Sequence, residues 1–489
     1  MFDEAVLPRG PCLAMKNSGA ARSSCHVVRE AMNATTDGKA LFRAFVACLI
    51  VVLLPVKNAA YIAPALYLMI MWWHGEYRVI GRVAMLSASL LAISSVAVLA
   101  DHLMGRTVNV AGIWLGIITY APLLILLCES FNRTIDQSTY EQIAKVCCWF
   151  IIFQTFVGVF QFLATGNSDA VCGTMGLLDG FRQSITIAQV YFTFVVFGMV
   201  LFLVPLANET LPRIAIAAGA LICVLAQSGH QTIFFVATLI LCGLVRISHI
   251  GTFVRTVAAA VVLSLLVFQI YPETLAVTRE WYGKVTDTAN SPKRLVYEGA
   301  ISILQEPKNL VLGTGLGQYS SRAALIASNE YLTVRLPSFM TGRSEYFNHH
   351  IAPSLLLFDE FGEGSAIAKP YMSAISLPVE LGLVLMMALA AVTFRSIVGC
   401  MRLMSAHSDQ VRTIGFTMMV GIVFFILCCF IENYAEFSQA VFVPFILFIV
   451  AGSRARTILS ASESNLLQSR VSASDFIRQP YRPARIRPR

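Results

Sequence analysis

The sequence predicts an all-α membrane protein that crosses the lipid bilayer many times. Only 13% of its 489 residues are charged, 57% are hydrophobic, and its mean hydropathy is +0.70. An average soluble domain has about 25% charged residues, so this composition excludes a soluble protein. Apolar stretches of about 16–22 residues recur along most of the chain, and helices of that length cross the hydrocarbon layer. A β-barrel would show short alternating segments instead.

About twelve spans follow from these apolar stretches. The first span comes after a polar leader of about 40 residues, which is long for a signal peptide, so we expect it to be retained. The predicted spans are Leu41–Pro55, Tyr61–Trp73, Val83–Ala100, Val110–Leu127, Val146–Ala164, Ile187–Leu206, Ile214–Ala226, Ile233–Leu244, Val257–Ile270, Ile375–Phe394, Ile414–Ile431 and Ala440–Val450.

Lysine and arginine residues predict the orientation, with both termini in the cytoplasm. The short outer loops then hold only Lys57, Arg106 and Arg182. The inner side holds the basic residues of both terminal segments together with Arg78, Arg82, Arg246, Arg255, Arg395, Arg402 and Arg412. This asymmetry follows the positive-inside rule. The net charge of +8 therefore reports topology, and no nucleic-acid partner is expected because the basic residues are scattered over many loops.

Five regions are predicted along the chain. Residues 1–40 form a cytoplasmic N-terminal segment and 41–271 hold the first nine transmembrane helices. Residues 272–374 form a large, partly helical periplasmic loop, 375–452 hold the last three helices, and 453–489 form a basic, disordered cytoplasmic tail. A loop of about a hundred residues in a compact protein is usually functional. No internal repeat is evident, which disfavours a transporter built from paired halves.

The twelve cysteines do not indicate a metal site or a disulfide framework. Most of them lie in apolar spans, where cysteine behaves as a small buried hydrophobic residue. Only Cys172 falls in a predicted outer loop, and the chain has no CxxC pair. Since zinc and haem sites need such spacings, we expect neither a metal nor another cofactor.

A glycine pattern, Gly313-Thr-Gly-Leu-Gly317, lies in the large loop. A dinucleotide site would need a strand before the glycines, a helix after them and an acid further on. Here Ala300–Leu304, ahead of the glycines, is predicted to be a helix, the pattern ends one residue early at Gly317, and no βαβ unit follows. Nucleotides are also cytoplasmic, whereas this loop is predicted to lie outside. The alternatives are a tight turn or a site for another phosphate group.

The residues around this pattern resemble a known family. Arg294, the helical stretch Ala300–Leu304, Pro307 and Gly313–Gly317 are similar to the signature of bacterial O-antigen ligases and polysaccharide polymerases, which opens their large periplasmic loop. Two segments match more loosely. They are Gly173–Gly176, with Arg182 ahead of a span, and Pro370–Gly382, which resembles the end of that loop.

The sequence departs from the family pattern at two places. Tyr371 stands where ligases carry a histidine, which favours a polymerase, and Ser228–Gln231 stands where many members have a Ser-Arg pair. The resemblance implies an all-helical membrane glycosyltransferase of the GT-C type. It implies transfer of glycan chains between undecaprenyl-diphosphate-linked repeat units at the periplasmic face of the bacterial inner membrane, without metal or nucleotide. The implied partners are this lipid-linked oligosaccharide, membrane lipids and other polysaccharide export proteins.

Arginines of the outer face are the candidate ligands of the diphosphate, because fixed cations stabilise the charge that develops on a leaving diphosphate and the guanidinium fork fits phosphate oxygens. We expect Arg182, Arg294 and Arg343 to bind it, with the backbone at Gly313, Gly315 and Gly317. Further outer arginines are Arg322 and Arg335. The alternative for each arginine is a solvated loop charge.

A base would assist the attack of an acceptor hydroxyl, and the loop supplies several candidates. They are Glu345, His349, His350 and, at the start of an apolar span, Glu380. Histidine titrates near neutrality, and acids at membrane depth are usually functional. The alternatives are the wet face of an amphipathic helix for the loop residues and snorkelling to the interface for Glu380.

Other functions remain open at this point. An O-antigen-type ligase would perform the same chemistry on a different acceptor. A flippase or exporter of lipid-linked oligosaccharides would place charges inside the spans along a path, whereas the ionisable residues here gather in the large loop. A scaffold or sensor without catalysis is the remaining alternative.

Overall fold

A computed structural model describes residues 38–54, 59–129, 133–166, 168–176, 185–226, 229–245, 292–329, 336–355 and 372–477, together with the single positions 262 and 269. No residue in these ranges belongs to a strand. The helices are α1 (38–53), α2 (Ala63–Trp73), α3 (Tyr77–Leu103), α4 (Val110–Cys128), α5 (Gln137–Thr165), α6 (Ile185–Leu203), α7 (Thr210–Ala226), α8 (Gly229–Val245), α9 (Pro292–Leu304), α10 (Pro307–Leu312), α11 (Arg322–Ala327), α12 (Ser373–Met404), α13 (Asp409–Cys429) and α14 (Ser438–Ile477).

Seven of these helices are long and apolar enough to cross a membrane, namely α3, α4, α5, α6, α12, α13 and the first part of α14. Shorter apolar helices cover Ala59–Trp73, Thr210–Ala226 and His230–Gly243. The chain is therefore an all-helical, polytopic membrane protein in the part that the structure describes. Every predicted span coincides with a helix except the ninth, Val257–Ile270, which lies outside the described residues apart from positions 262 and 269.

The apolar side chains divide into a packed interior and an outward face. Helix α5 packs against α7, α6 against α14, and α12 against α13. Outward, α5 exposes Phe153, Phe156, Phe160 and Leu163, which lie three or four residues apart and so share one side of the helix. A continuous apolar stripe of this kind fits contact with lipid tails.

Polar residues gather at the two ends of the helix bundle. At one end the turns 104–109 and 430–437 and the start of α8 meet helices α9 to α11, and we call this the loop end. At the opposite end the Arg133 Nε donates to Glu129 over 2.9 Å, and the Tyr67 hydroxyl donates to the same carboxylate. Arg133 also lies 3.5 Å from Glu76, so this ion cluster ties α2, α3 and α4 together.

The C-terminal tail corrects one prediction. Helix α14 continues to Ile477, so the expected disorder is wrong for residues 453–477. Beyond Gly452 this stretch contains neither glycine nor proline, the two residues that most disfavour a helix. The prediction gave too much weight to the arginines and prolines of the last twelve residues, and residues 478–489 lie outside the described ranges.

Candidate functional site

The glycine motif of the large loop lies inside the helix bundle. Gly313, Gly315 and Gly317 all have positive φ, at 75°, 91° and 71°, which glycine adopts without steric cost. A Cβ atom on Gly317 would lie 2.3 Å from the carbonyl oxygen of Gly112 in α4. Leu316 contacts Gly116, one helical turn further along α4. The glycines therefore serve a close approach of two backbones.

Gln318 attaches the motif to the start of α4. Its side-chain oxygen accepts from the Asn109 amide over 2.9 Å, and its nitrogen donates to the Asn109 carbonyl over 2.6 Å. Asn109 is itself the N-cap of α4, since its side chain accepts from the amide of Gly112 over 3.0 Å. The loop and the transmembrane helix thus share one network of hydrogen bonds.

The glycine motif also packs against a kink in α12. Gly382 has a φ of 70° in the middle of this helix, and a Cβ on Gly313 would lie 2.7 Å from its nitrogen. Thr314 and Gly315 donate their amides to the carbonyls of Val379 and Glu380 over 2.9 and 3.1 Å. An interrupted helix leaves carbonyls that need partners, and the motif supplies them.

The Glu380 carboxylate is bound by the backbone of the same loop. It is 1% exposed and accepts from the amides of Gly317, Tyr319 and Ser321 over 2.8, 3.0 and 3.3 Å. Burying a carboxylate is costly unless hydrogen bonds stabilise its charge, and three amides do so here.

The amide of Gly313 also has an internal acceptor, the Asn309 carbonyl at 2.9 Å. The amides of the three glycines thus all donate within the protein, and their predicted role in diphosphate binding stays a prediction.

Replacing Glu380 by alanine should destabilise the folded protein by about 3 kcal/mol or more, because several buried amides lose their acceptor. Hydrogen exchange at Gly317–Ser321 should accelerate in parallel, as measured by mass spectrometry in lipid nanodiscs. Glu380→Gln keeps one acceptor oxygen and should have a smaller effect. Equal effects of the two substitutions would contradict the assignment of the amides to this carboxylate.

A second buried carboxylate, Glu436, lies beside the first. It accepts from the hydroxyls of Tyr120 and Ser376 over 3.0 and 3.1 Å and from the amide of Arg322. Burial, with a further contribution from the charge of Glu380, raises the pKa of Glu436 to about 8. Two carboxylates from different parts of the chain therefore hold consecutive amides, those of Ser321 and Arg322.

Arg322 is a buried arginine at the loop end. It is 3% exposed, and its guanidinium carbon lies 3.2 Å from the ring centroid of Phe437 and 5.8 Å from that of Tyr61. A guanidinium over an aromatic face is stabilised by the ring quadrupole. The arginine and the two carboxylates place three ionisable groups next to each other inside the bundle.

Several buried polar atoms near Arg322 have no hydrogen-bond partner among the described residues, and two of these atoms are oxygens of residues that contact each other. These two are the hydroxyl oxygen of Ser320 and the side-chain oxygen of Asn433. The residues are neighbours, since the Asn433 nitrogen donates to the Ser320 carbonyl over 3.1 Å. Unsatisfied buried oxygens are rare in folded proteins, so this spot offers acceptors to a water or to the hydroxyl of a ligand.

An ion cluster centred on Asp101 anchors the loop to α3. Its carboxylate, 1% exposed, accepts from Arg106 over 3.0 Å and from the Tyr346 hydroxyl over 2.8 Å. Lys308 donates to its second oxygen. Arg106 also binds both oxygens of Glu306, over 2.7 and 2.8 Å. The charges compensate one another within the cluster, which favours a structural role.

A further polar cluster joins α8, α9 and the 430–437 turn. Lys293 is half-buried and donates to the Ile431 carbonyl over 2.7 Å. Burial lowers the pKa of Lys293 to about 8, against the opposing charge of Glu432. His230 lies 3.5 Å from the Tyr434 hydroxyl, which also accepts from Gln231 over 2.6 Å. His230 and Gln231, at the end of the segment that departs from the resembled motif, thus contact the last turn at the loop end.

The predicted diphosphate arginines lie on the surface where the structure describes them. Arg294 is 46% exposed in its side chain and pairs with Glu298 over 2.6 Å on α9. Arg343 is exposed, with its guanidinium 5.9 Å from the Phe347 ring. Arg182 lies outside the described residues. Gly173, near it in sequence, donates to the Gln161 side chain over 2.9 Å, so the first loop segment is held by α5.

The predicted bases lie close to α9. His349 and His350 belong to a π-helical turn, Phe347–Ile351, a conformation that often marks functional sites. A Cβ on Gly299 of α9 would lie 2.8 Å from the His350 side chain, and His350 lies 6.5 Å from Tyr319 between ring centroids. Burial and the neighbouring His349 lower the pKa of His350, so it is mainly neutral at pH 7.

The other two predicted bases of the loop point away from this contact. Glu345 accepts from the Thr107 amide over 3.3 Å, which directs its side chain towards the α3–α4 turn. His349 is exposed, 6.4 Å from His350 between ring centroids. Among the described residues no three histidine, cysteine or acidic side chains form a group suited to a metal.

Sequence reasoning missed Glu436 and gave Arg322 no special place. The available signal was "IENYAEF", Ile431–Phe437, a turn with two acids between the last two apolar spans. Acids at the end of a membrane span are functional candidates by default, so this turn gives the same kind of signal as Glu380.

The resemblance to O-antigen ligases and polysaccharide polymerases rests on the quoted motifs. A scan against models of protein families found no match to this chain, and a search of curated proteins found no similar sequence.

Proposed function

We propose that this protein is a polysaccharide polymerase of the bacterial inner membrane. It transfers a growing glycan from one undecaprenyl-diphosphate carrier to the next lipid-linked repeat unit. In this proposal the loop end faces the periplasm and both termini are cytoplasmic. The order of the motifs Arg294, Pro307 and Gly313–Gly317 supports it, because the resembling family has the same order at the same point of its topology.

The observation that carries the proposal is the group of Arg322, Glu380 and Glu436 inside the bundle. Their side chains are at most 3% exposed. Burying ionisable side chains is costly, and an acid within a membrane span, as Glu380 is, usually serves binding or catalysis. Their neighbours at the loop end include polar oxygens without partners among the described residues, at Ser320 and Asn433. A site for a charged and hydroxylated substrate accounts for this combination.

The reaction forms one bond and breaks one. A hydroxyl oxygen of the acceptor sugar attacks the anomeric carbon of the donor, and the bond from that carbon to the diphosphate oxygen breaks. The diphosphate leaves with the electron pair, and the hydroxyl proton passes to a base. Arg322 within the bundle and the exposed Arg294 and Arg343 stabilise the developing negative charge. His350 accepts the proton, since a neutral imidazole is a suitable base near pH 7.

The Glu380 carboxylate has a different part in this proposal. It is engaged by three amides and holds the glycine motif in the kink of α12, so it orders the loop that carries Tyr319 and Arg322. Helix α9 completes the arrangement, because Gly299 lets it approach His350 and its first turn carries Arg294. The Tyr319 hydroxyl donates to the Val296 carbonyl of α9, so the segment Gly317–Arg322 connects α9 to the buried arginine.

Deletion of the gene, followed by analysis of lipid-linked glycans and surface polymer, tests the function. Single lipid-linked repeats should accumulate and long polymer should disappear. Full-length chains left on the carrier would indicate a ligase instead, and repeats confined to the cytoplasmic leaflet would indicate a flippase. Unchanged lipid-linked glycans and surface polymer would exclude all three.

Complementation of the deletion with Arg322→Lys tests the site. Lysine keeps the charge but loses the planar fork, and we expect polymer synthesis to fall on the order of 100-fold, as for loss of one preorganised donor to a transition state. Arg402→Ala is the matched control, since Arg402 is exposed at the far end of α12. Membrane insertion is checked by the amount of full-length protein. Equal polymer from both variants would remove Arg322 from the mechanism.

A further inference from the structure

The 430–437 turn contacts both the backbone amide and the guanidinium of Arg322. The carboxylate of Glu436 accepts from the backbone amide of this arginine, while the ring of the next residue, Phe437, lies 3.2 Å from its guanidinium carbon. Consecutive residues of one turn thus fix the amide and the charged head of the same side chain. The position of the guanidinium therefore depends on the position of the 430–437 turn.

Two transmembrane helices fix the position of the Glu436 side chain by hydrogen bonds. Tyr120 of α4 and Ser376 of α12 donate to the same oxygen over 3.0 and 3.1 Å. Ser376 is one helical turn before Glu380, so the two residues share a face of α12. The Glu436 carboxyl group is therefore hydrogen-bonded to α4, to α12 and to the arginine.

We propose that Glu436 is a positioning residue for Arg322, and that its protonation state controls how strongly the guanidinium binds an anionic phosphate ligand. This inference rests on the proposed function, in which Arg322 contacts the diphosphate. In the neutral form Glu436 anchors the amide and adds no negative charge that would oppose the ligand. In the ionised form Glu436 adds a negative charge, which attracts the guanidinium and repels the incoming phosphate.

The surroundings of Glu436 favour the neutral form at neutral pH. The titratable and charged groups that face it are Glu380 of α12, Tyr120 of α4, Arg322 at the start of α11, Cys429 at the end of α13 and Tyr61 ahead of α2. Burial and Glu380 raise its pKa, while the bonds from the Arg322 amide, Tyr120 and Ser376 lower it, and the balance lies at about 8. Glu436 thus ionises within a pH range in which a membrane protein can be studied.

A binding experiment tests the inference without requiring turnover. The purified full-length protein in nanodiscs is titrated with a short polyprenyl diphosphate that carries no sugar, between pH 6.5 and pH 9.5. One pH unit above the midpoint of Glu436 ionisation, the Kd of the wild type should be roughly ten times its low-pH value, the limit for a single group whose ionised form does not bind. Glu436→Gln cannot ionise, so its Kd should show no such rise.

Two variants serve as controls. Glu432→Gln changes the other buried acid of the turn, whose side chain accepts from Tyr191 over 3.1 Å, and should keep the pH profile of the wild type. Arg322→Lys should weaken binding over the whole range. A wild-type Kd that is independent of pH, or a rise that persists in Glu436→Gln, overturns the inference, and so does an absence of binding at every pH.

Thermal unfolding between pH 5 and pH 9 gives a second measurement that does not depend on the ligand. A carboxyl group whose pKa is raised by folding stabilises the protein below its unfolded pKa, and this contribution is lost as the pH rises through the folded pKa. The wild type should therefore lose stability relative to Glu436→Gln as the pH rises towards the folded pKa of about 8. Parallel curves would show that Glu436 does not titrate in this range and would overturn the inference. Binding that follows the prediction without any transfer of sugar would instead remove only the proposed polymerase activity.

Discussion

Replacing Gly317 by alanine is expected to destabilise the folded protein by about 2–5 kcal/mol. A non-glycine residue at its φ of 71° costs roughly 1–2 kcal/mol. The new Cβ would lie 2.3–2.5 Å from three backbone atoms of Gly112, and relief of such overpacking costs roughly a further 1–3 kcal/mol. The backbones at Gly317 and Gly112 cannot move apart easily, because the Gln318 side chain is hydrogen-bonded to both the amide and the carbonyl of Asn109. The midpoint of thermal unfolding in nanodiscs measures the effect.

Gly399→Ala is the matched control for this substitution. Gly399 lies in α12 without a positive φ, and a Cβ added there would have no neighbouring atom within 4 Å. Alanine is favoured over glycine in helices by roughly 0.5–1 kcal/mol, so this variant should be as stable as the wild type or slightly more so. A small effect of Gly317→Ala, similar to that of the control, would mean that the loop does not enter the bundle beside α4.

Replacing Asp101 by alanine is the second substitution with a large expected effect. It removes the acceptor of Arg106 and Lys308 at the end of α3 and leaves Lys308 without its carboxylate partner. Breaking a buried ion pair by removing one partner costs about 3–5 kcal/mol. Arg106 keeps its two bonds to Glu306, which places the expected value at the lower end. Thermal unfolding measures stability, and hydrogen exchange in α10 should show local release of the loop.

The control for Asp101 is a surface ion pair in the same loop. Glu298→Ala removes one ionic partner of Arg294 on α9, where both side chains are about half exposed. Exposed pairs contribute roughly 0–1 kcal/mol, so stability should hardly change. If both substitutions shift the unfolding midpoint equally, the Asp101 cluster is not the anchor of the loop.

The hydropathy pattern predicted the helices well because membrane spans obey a local rule. A stretch such as Val110–Leu127 must satisfy its backbone hydrogen bonds internally in lipid, and only a helix does so. The structure has α4 at Val110–Cys128, within one residue of the prediction. The same rule says nothing about residues beyond the membrane, which is why the helical continuation of α14 to Ile477 was missed.

The candidate site was predictable only in part. The glycines, Glu380 and the histidines could be chosen from the sequence because their types and spacing are unusual in a loop or at a span. Their contacts could not, because Gly317 meets Gly112 and Glu380 meets Ser321 only after distant segments pack. Glu436 gave a weaker signal, since an acid in a short turn is ordinarily solvated and its burial appears only when Tyr120, Ser376 and Arg322 surround it.

By itself the amino-acid sequence determined that this chain is an all-helical membrane protein, where most of its long helices lie, and which segment between the helices is the longest and holds many polar residues. These properties follow from the cost of exposing polar backbone to lipid, which acts on each segment separately. The tertiary structure decided that the glycine motif enters the bundle, that its amides bind Glu380, and that Arg322 is buried beside Glu436. Such outcomes depend on close approach between segments far apart in the chain, and no local pattern encodes them.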